Sequence, residues 1–392
     1  MELQKPPWVE YFTYLALGAS MRSKDPKTQV GCVIVDSVTL KILSIGYNGF
    51  PLGISNSDES WSDEQKNNLV VHAEANAVIL KGTANLENSI AFVTLFPCED
   101  CAKMLIQAGV RRVYYLSFRD KYGQSEEIFK EAKVDMLPVK RGDDDDTLSM
   151  FQNTFIDMVK AAIQNVTNTK VDDSSRQLCN SLKKKKKIKN LRKRDIKSRW
   201  KRNPPGQRSD EILFKKWTHY FLFLAHVAST RSSCGAKDGA LLVDCEKFKM
   251  CSLSYKGYPR DVEGTSDDAM VVSAIMNVLA LRFCEGNEFY AFCTNFPREE
   301  EVKNLAQAEV KHFYFISPTN MTTMALSILD AAKVKTVPMD PLDEKEIEKE
   351  IINTIKGLTD KEEKNTISFQ HWPKTEGIQY ELKPKRRNSG LD

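Results

Sequence analysis

The sequence predicts an α/β protein, a three-layer α/β/α sandwich around a mixed sheet, built twice in one chain. Three observations predict it. Short β-prone apolar runs alternate with amphipathic helical stretches. The whole alternation recurs about two hundred residues later. The two copies also match segment by segment, so the repeat is a duplicated domain and not a short-period solenoid.

In chain order, Trp8–Arg22 (WVEYFTYLALGASMR) opens the first copy as an amphipathic helix and is matched by Trp217–Arg231 (WTHYFLFLAHVASTR). The strand Val30–Asp36 (VGCVIVD) parallels Gly239–Cys245 (GALLVDC), and Gly46–Pro51 (GYNGFP) parallels Ser254–Pro259 (SYKGYP). Val70–Val78 (VVHAEANAV) reads as a turn entering a helix and is matched by Val271–Leu279 (VVSAIMNVL). The run Ile90–Phe96 is a strand that Pro97 stops, and Ala91–Cys101 parallels Ala291–Glu301. Val110–Ser117 (VRRVYYLS) pairs with Val310–Ser317 (VKHFYFIS). Each copy therefore reads helix, strand, strand, helix, strand, helix, strand, then a further helix and a short strand.

These matches divide the chain into residues 1–165, a first unit; 166–208, a basic linker; 209–358, a second unit; and 359–392, a tail. Linker and tail are too polar and charged for a core and are expected to be disordered. Asp146–Gln164 is expected to close the first unit as an amphipathic helix, its N-terminus favoured by Asp143–Asp146. Asp343–Lys356 alternates acids, bases and isoleucines as an exposed helix would.

Charge is concentrated. Of a net +4, Lys183–Arg202 holds thirteen Lys/Arg against one Asp, leaving the rest of the chain at about −8. That run reads as a nuclear import signal, a nucleic-acid contact or a solvated charge tract, and Lys383–Arg387 (KPKRR) favours import. A polynucleotide enzyme would spread positive charge over the fold itself. No apolar run approaches the ~20 residues that cross a bilayer, and the N-terminus lacks the features of a secretory signal. The nine cysteines, odd in number and scattered, suit reduced thiols in cytoplasm or nucleus.

The chemistry lies in His72-Ala73-Glu74 and Pro97-Cys98-Glu99-Asp100-Cys101. One imidazole and two thiolates are the three protein ligands of a catalytic Zn²⁺, whose fourth position is left to water. Bound zinc brings the pKa of that water to about 7. Glu74, two residues from His72, can sit beside the metal without binding it and move protons. Nucleobase deaminases hydrolyse an exocyclic amine with this set. A core histidine, a redox pair or half of a structural zinc knuckle are the alternatives. A structural site would want a fourth protein ligand, and the first half holds no second Cys-x-x-Cys or His pair. In the second copy the four positions are Ser273, Ile275, Arg298 and Glu301, so that unit is expected to be catalytically dead and to act as a folded partner domain.

With these motifs placed, the first unit resembles the deoxycytidylate deaminase family within the cytidine deaminase-like fold, over about Trp8 to Lys140. The resemblance rests on Arg22–Gly31 (RSKDPKTQVG), Gly46–Gly53 (GYNGFPLG), His72–Asn76 (HAEAN) and Pro97–Cys101 (PCEDC). The last two stretches are shared with cytidine, guanine, tRNA and polynucleotide deaminases, and the first two are more particular to dCMP enzymes. It implies that His72, Cys98 and Cys101 hold zinc and that Glu74 shuttles the proton. It further implies that Asn48 shapes the sugar and base pocket and that Arg22 and Ser23 meet the 5′-phosphate. The implied reaction is hydrolysis of a C–N bond, dCMP to dUMP, with dCTP or (deoxy)cytidine as alternative substrates. One intact and one decayed unit resembles the cytidine-and-dCMP-deaminase-domain-containing proteins, with the degenerate unit second here. A polynucleotide deaminase and a regulatory nucleotide binder are the competing readings. Expected partners are a deoxycytidine nucleotide, dCTP and dTTP as effectors, and further copies of the chain, with a pseudo-dimer inside each. A nuclear import factor is also expected; nucleic acid and membrane are not.

Overall fold

Gly31 and Gly46 show how the sheet of the first unit acquires a helix on each face. A Cβ at Gly31 would run into the Ala16 carbonyl of helix α1 (Trp8–Ser20), and one at Gly46 into Ala73 and Ala77 of helix α2 (Ala73–Ile79). Gly31 opens strand β1 (Gly31–Asp36), and its neighbour Cys32 pairs with Gly46 of β2 (Ile42–Tyr47). Paired residues share a face and successive residues alternate. So α1 and α2 cover opposite faces of the sheet. The layers expected from the sequence follow from that register.

The computed structural model describes residues 5–51, 54, 61, 66, 69–118, 123–139, 146–189, 217–232, 237–245, 248–258, 271–282 and 288–359. The first unit continues with β3 (Ser89–Leu95), α3 (Glu99–Gln107), β4 (Val110–Ser117), α4 (Gly123–Glu131) and β5 (Asp135–Pro138). Its strand order is β2-β1-β3-β4-β5, antiparallel across β2-β1-β3 and parallel across β3-β4-β5. Aromatic contacts stack through the core, Phe12 on Phe92 and Phe92 on Tyr114 at 5.1 and 5.0 Å between ring centres.

Helices α5 (Asp146–Asn168) and α6 (Asp173–Lys189) precede the second unit. There α7 (Trp217–Ser229), β6 (Gly239–Asp244), β7 (Met250–Tyr255), α8 (Ala274–Ala280), β8 (Phe289–Asn295), α9 (Glu299–Gln307), β9 (Val310–Ser317), α10 (Thr323–Ala331) and β10 (Lys335–Pro338) repeat the same order. Helix α11 (Glu344–Thr359) ends the described chain. The second sheet runs β10-β9-β8-β6-β7 with the same senses. Even the rings recur: Phe221 contacts Phe292, and Phe292 stacks on Tyr314 at 4.6 Å.

Contacts group the described residues into two units, each drawing on separate stretches of the chain. The first unit takes the described residues of Pro6–Gly49 and Val71–Asp157 together with 348–359; the second takes those of Phe50–Val70 and Met158–Ile347. Part of the stretch expected to be a disordered linker is helix α6. Its Ser175 hydroxyl donates to the Met321 carbonyl at 2.8 Å, and Cys179 joins the core of the second sheet. High polarity hid an apolar stripe of Leu178, Cys179 and Leu182 on one face. Likewise α11 is helical as expected but not simply exposed, since Ile347, Ile351, Ile355 and Leu358 are buried.

Most of Lys183–Arg202 and all of Lys383–Arg387 lie outside the described residues. Cys251 is disulfide-bonded, against the expectation of reduced thiols throughout; scattered spacing in sequence carries no information on which sulfurs meet. Among the described residues no helix is long and apolar enough to cross a membrane.

Candidate metal centre and active site

Two helix starts build the cluster. His72 is the N-cap of α2 and Cys98 the N-cap of α3, both in extended conformation, with Cys101 in the first turn of α3. Extended backbone at an N-cap turns the side chain across the helix mouth. His72 Nδ1 lies 3.3 Å from Cys98 Sγ and 3.4 Å from Cys101 Sγ. The three donor atoms fall within 4.8 Å of one another, the one such group among the described residues. Tetrahedral zinc with ordinary Zn–N and Zn–S bonds sets nitrogen and sulfur about 3.5 Å apart. The residues fit the metal.

The electrostatics suit a cation. The Cys98 thiol is pulled down to about 4, first by a hydrogen bond from Cys101 and then by His72, against its partial burial. Cys101 is pushed up by donating to Cys98, by burial and by the Glu74 charge. The thiolate form of Cys98 is thus favoured where metal would be bound. The cluster is open on the His72 side and closed on the Cys101 side.

Glu74 is buried, 3% exposed, on the first turn of α2. Desolvation raises its pKa above the ordinary carboxylate value, and the His72 charge opposes that rise. It lies within hydrogen-bonding reach of Cys101. A carboxylate in that setting holds a proton more readily than one in water, as proton transfer near neutrality requires.

Asn48 follows β2, and its amide is fully engaged. Its Oδ1 accepts from Val30 N at 2.8 Å, while Nδ2 donates to the Thr28 carbonyl at 3.0 Å and to Asp25 Oδ2 at 3.2 Å. Asp25 Oδ1 in turn accepts from Lys27 N and Thr28 N. The loop from α1 to β1 is thus wound around two side chains. Sequence reasoning singled out Asn48 but missed Asp25, whose Asp-Pro turn signature was available.

Arg22 and Ser23 follow α1 and are buried, 7% and 1% exposed; Ser23 Oγ accepts from Asp25 N at 3.2 Å. The Arg22 charge acts on Tyr47, and Arg231 hydrogen-bonds Tyr255 at the equivalent place in the second unit. Two further braces occur in both units. Asn76 Nδ2 donates to the Tyr47 carbonyl as Asn277 does to that of Tyr255, and Gly31 N donates to Thr94 as Gly239 N does to Thr294. These last two braces, found in both copies, support the fold. His72, Glu74, Cys98, Cys101 and Asn48 occur only in the first.

A family model described as the cytidine and deoxycytidylate deaminase zinc-binding region matches residues 6–117. The chain is similar to the probable deoxycytidylate deaminase of Caenorhabditis elegans, 50% identical over 114 residues, 28% of this chain and 57% of that one. Similarity to the deoxycytidylate deaminase of Homo sapiens is 44% over 126 residues, 31% of this chain and 69% of that one. The dCMP deaminase of cyanophage S-TIM5, in apo form, is 31% identical over 34% of this chain and 99% of that one, with a TM-score of 0.29. The chain spans little more than half of the nematode relative and over two thirds of the human one, and every catalytic motif lies in the matched stretch. On that identity and coverage, the chain belongs to the deoxycytidylate deaminase family.

Proposed function

We propose that the first unit hydrolytically deaminates dCMP to dUMP, with zinc held by His72, Cys98 and Cys101. The observation that carries it is the His72 imidazole facing two cysteine sulfurs at 3.3 and 3.4 Å beside a buried Glu74. When bound, zinc supplies an acidified water as the nucleophile. Glu74 accepts that water's proton on its carboxylate and passes it to the pyrimidine ring nitrogen. The water oxygen bonds to the amine-bearing ring carbon, and Glu74 then moves the proton of that added hydroxyl to the amine; the hydroxyl becomes the carbonyl as the C–N bond breaks and ammonia leaves. Asn48 braces the loop at Thr28 and Val30, and the resemblance assigns it to the sugar and base pocket. Arg22 and Ser23 are assigned to the 5′-phosphate end by the resemblance.

The decisive assay presents full-length, zinc-loaded protein with dCMP, dCTP, deoxycytidine and single-stranded DNA. Ammonia release with dCMP foremost supports the reading, and none from any mononucleotide ends it. Ser23→Ala should narrow the preference for dCMP over deoxycytidine if Ser23 meets the phosphate. The same reading extends to assembly of several chains and to a response to dCTP and dTTP, which sizing and assays with each nucleotide would test. Import into the nucleus through Lys183–Arg202 is tested by deleting that run.

A further inference from the structure

In each unit a helix from the other half of the sequence lands on the loop that enters the first strand. In the first unit, α11 buries Ile351, Thr354, Ile355 and Leu358. Their spacing forms one stripe of a helix. Thr354 Oγ1 donates to Gln29 Oε1 at 2.9 Å in a buried bond, and Ser117 Oγ donates to the Leu358 carbonyl at 3.3 Å. Gly357 packs so tightly that a Cβ there would stand 2.8 Å from the Lys27 carbonyl oxygen.

In the second unit, α5 plays the same part. Asn165 Oδ1 accepts from Lys237 N at 3.1 Å. Lys237 stands two residues before Gly239, as Gln29 stands two before Gly31. The same landing point in both copies marks a built feature of the fold.

In the first unit this landing point has a further meaning. Residues 22–30 are the loop gripped from within by Asn48 and Asp25, and they contain the segment assigned to the nucleotide. Asn48 holds Thr28 and Val30; α11 holds Lys27 and Gln29. Alternate residues of one short loop are therefore fixed by two different elements. With either grip loosened, the loop could shift without disturbing His72, Cys98 or Cys101, which sit on α2 and α3.

We propose that α11 is a positioning element of the active site, with Thr354 and Gly357 as positioning residues that hold Lys27 and Gln29, and through them the loop carrying Arg22 and Ser23, in the shape that receives the nucleotide. The degenerate half of the sequence then contributes a helix to the working unit, a task that needs no chemistry of its own. The proposal deepens the deaminase reading and rests on it only for its kinetic readout.

The test uses the full-length, zinc-loaded protein and three variants: Gly357→Ala, Thr354→Val and Thr354→Ser. KM and kcat for dCMP, zinc content, melting temperature and amide hydrogen exchange at residues 27–30 are measured on each. Gly357→Ala and Thr354→Val should raise KM roughly three- to tenfold, the worth of one buried hydrogen bond, with kcat and zinc content unchanged. Exchange at residues 27–30 should quicken in both, and Thr354→Ser, which keeps the hydroxyl, should restore wild-type KM and exchange. Wild-type KM and exchange in both variants, with Gly357→Ala melting higher as an undocked helix gaining alanine would, overturns the proposal. Should Gly357→Ala not fold, the Val and Ser variants at Thr354 decide alone. If the wild-type chain releases no ammonia from dCMP, the deaminase reading fails, and the exchange data still judge the clamp.

Discussion

Arg298 and Glu301 of the second unit form an ion pair, 3.2 Å from Nη2 to Oε1, across the two positions that Cys98 and Cys101 hold in the first. Glu301 also caps its helix by accepting from Arg298 N at 2.9 Å. The frame beneath is unchanged: Arg298 has φ −66 and ψ 158 where Cys98 has −73 and 173, and Ser273 has −66 and 160 where His72 has −70 and 160. The second site was lost through side chains alone, and a self-neutralising pair took the place of two thiols.

Metal content follows from that substitution. The chain should bind one zinc, and Cys101→Ser should abolish it, since two ligands from two helices are too few for a stable site. Because the backbone is preserved, the triple change Ser273→His, Arg298→Cys and Glu301→Cys should raise the content to two per chain. Elemental analysis after dialysis checks both. Turnover should not double, because Ile275 leaves the rebuilt site without a proton carrier.

Glu74 separates binding from chemistry. Glu74→Gln should keep zinc at the wild-type level and lower kcat by about 10²–10⁴, the usual worth of general acid–base help. Zinc content and single-turnover rates on the same sample test this. Loss of metal in the variant would make Glu74 a ligand instead.

Asn48 should matter to both stability and affinity. Asn48→Ala removes the buried bonds to the Val30 N–H and the Thr28 carbonyl, a cost of about 1–3 kcal/mol. Denaturant unfolding should report that loss, and KM for dCMP should rise with it. A variant with wild-type stability would mean that the loop holds its shape without this bridge.

His226 gives the second unit its own pH dependence. It replaces the aliphatic Leu17 of the first unit, is 1% exposed, and neither ring nitrogen has a hydrogen-bond partner among the described residues. Burial lowers its pKa to about 3. The unfolded chain then binds the proton more tightly, so stability is full above pH ~6.5 and falls as pH drops from there toward 3. At pH 5 the loss is about 2 kcal/mol relative to pH 7.5. His226→Leu should flatten the curve over this window, as thermal melts at a series of pH values would report.

Local signals were enough for the elements and for the metal centre. Strands β1 and β3, the two N-caps and the Cys-x-x-Cys turn each depend on residues a few positions apart, and the structure places them where their spacing indicates. The engagement of Asn48 was less legible. Its amide spans eighteen residues to Val30, and nothing in a Tyr-Asn-Gly turn reveals which carbonyl the side chain will reach.

Reading the chain alone therefore pointed to a duplicated α/β fold, to His72, Cys98 and Cys101 as one zinc-type set, and to a second copy without those residues. Those conclusions need only periodicity, ligand chemistry and comparison of one half with the other. Folding settled which helix serves which sheet. The polar segment at α6 proved to belong to a core, and α11 proved to brace Lys27 and Gln29, more than three hundred residues earlier in the chain. An apolar stripe states that a helix must be covered but carries no address for its partner. That address lies in shape and hydrogen-bond complementarity, which exist only once both surfaces have formed.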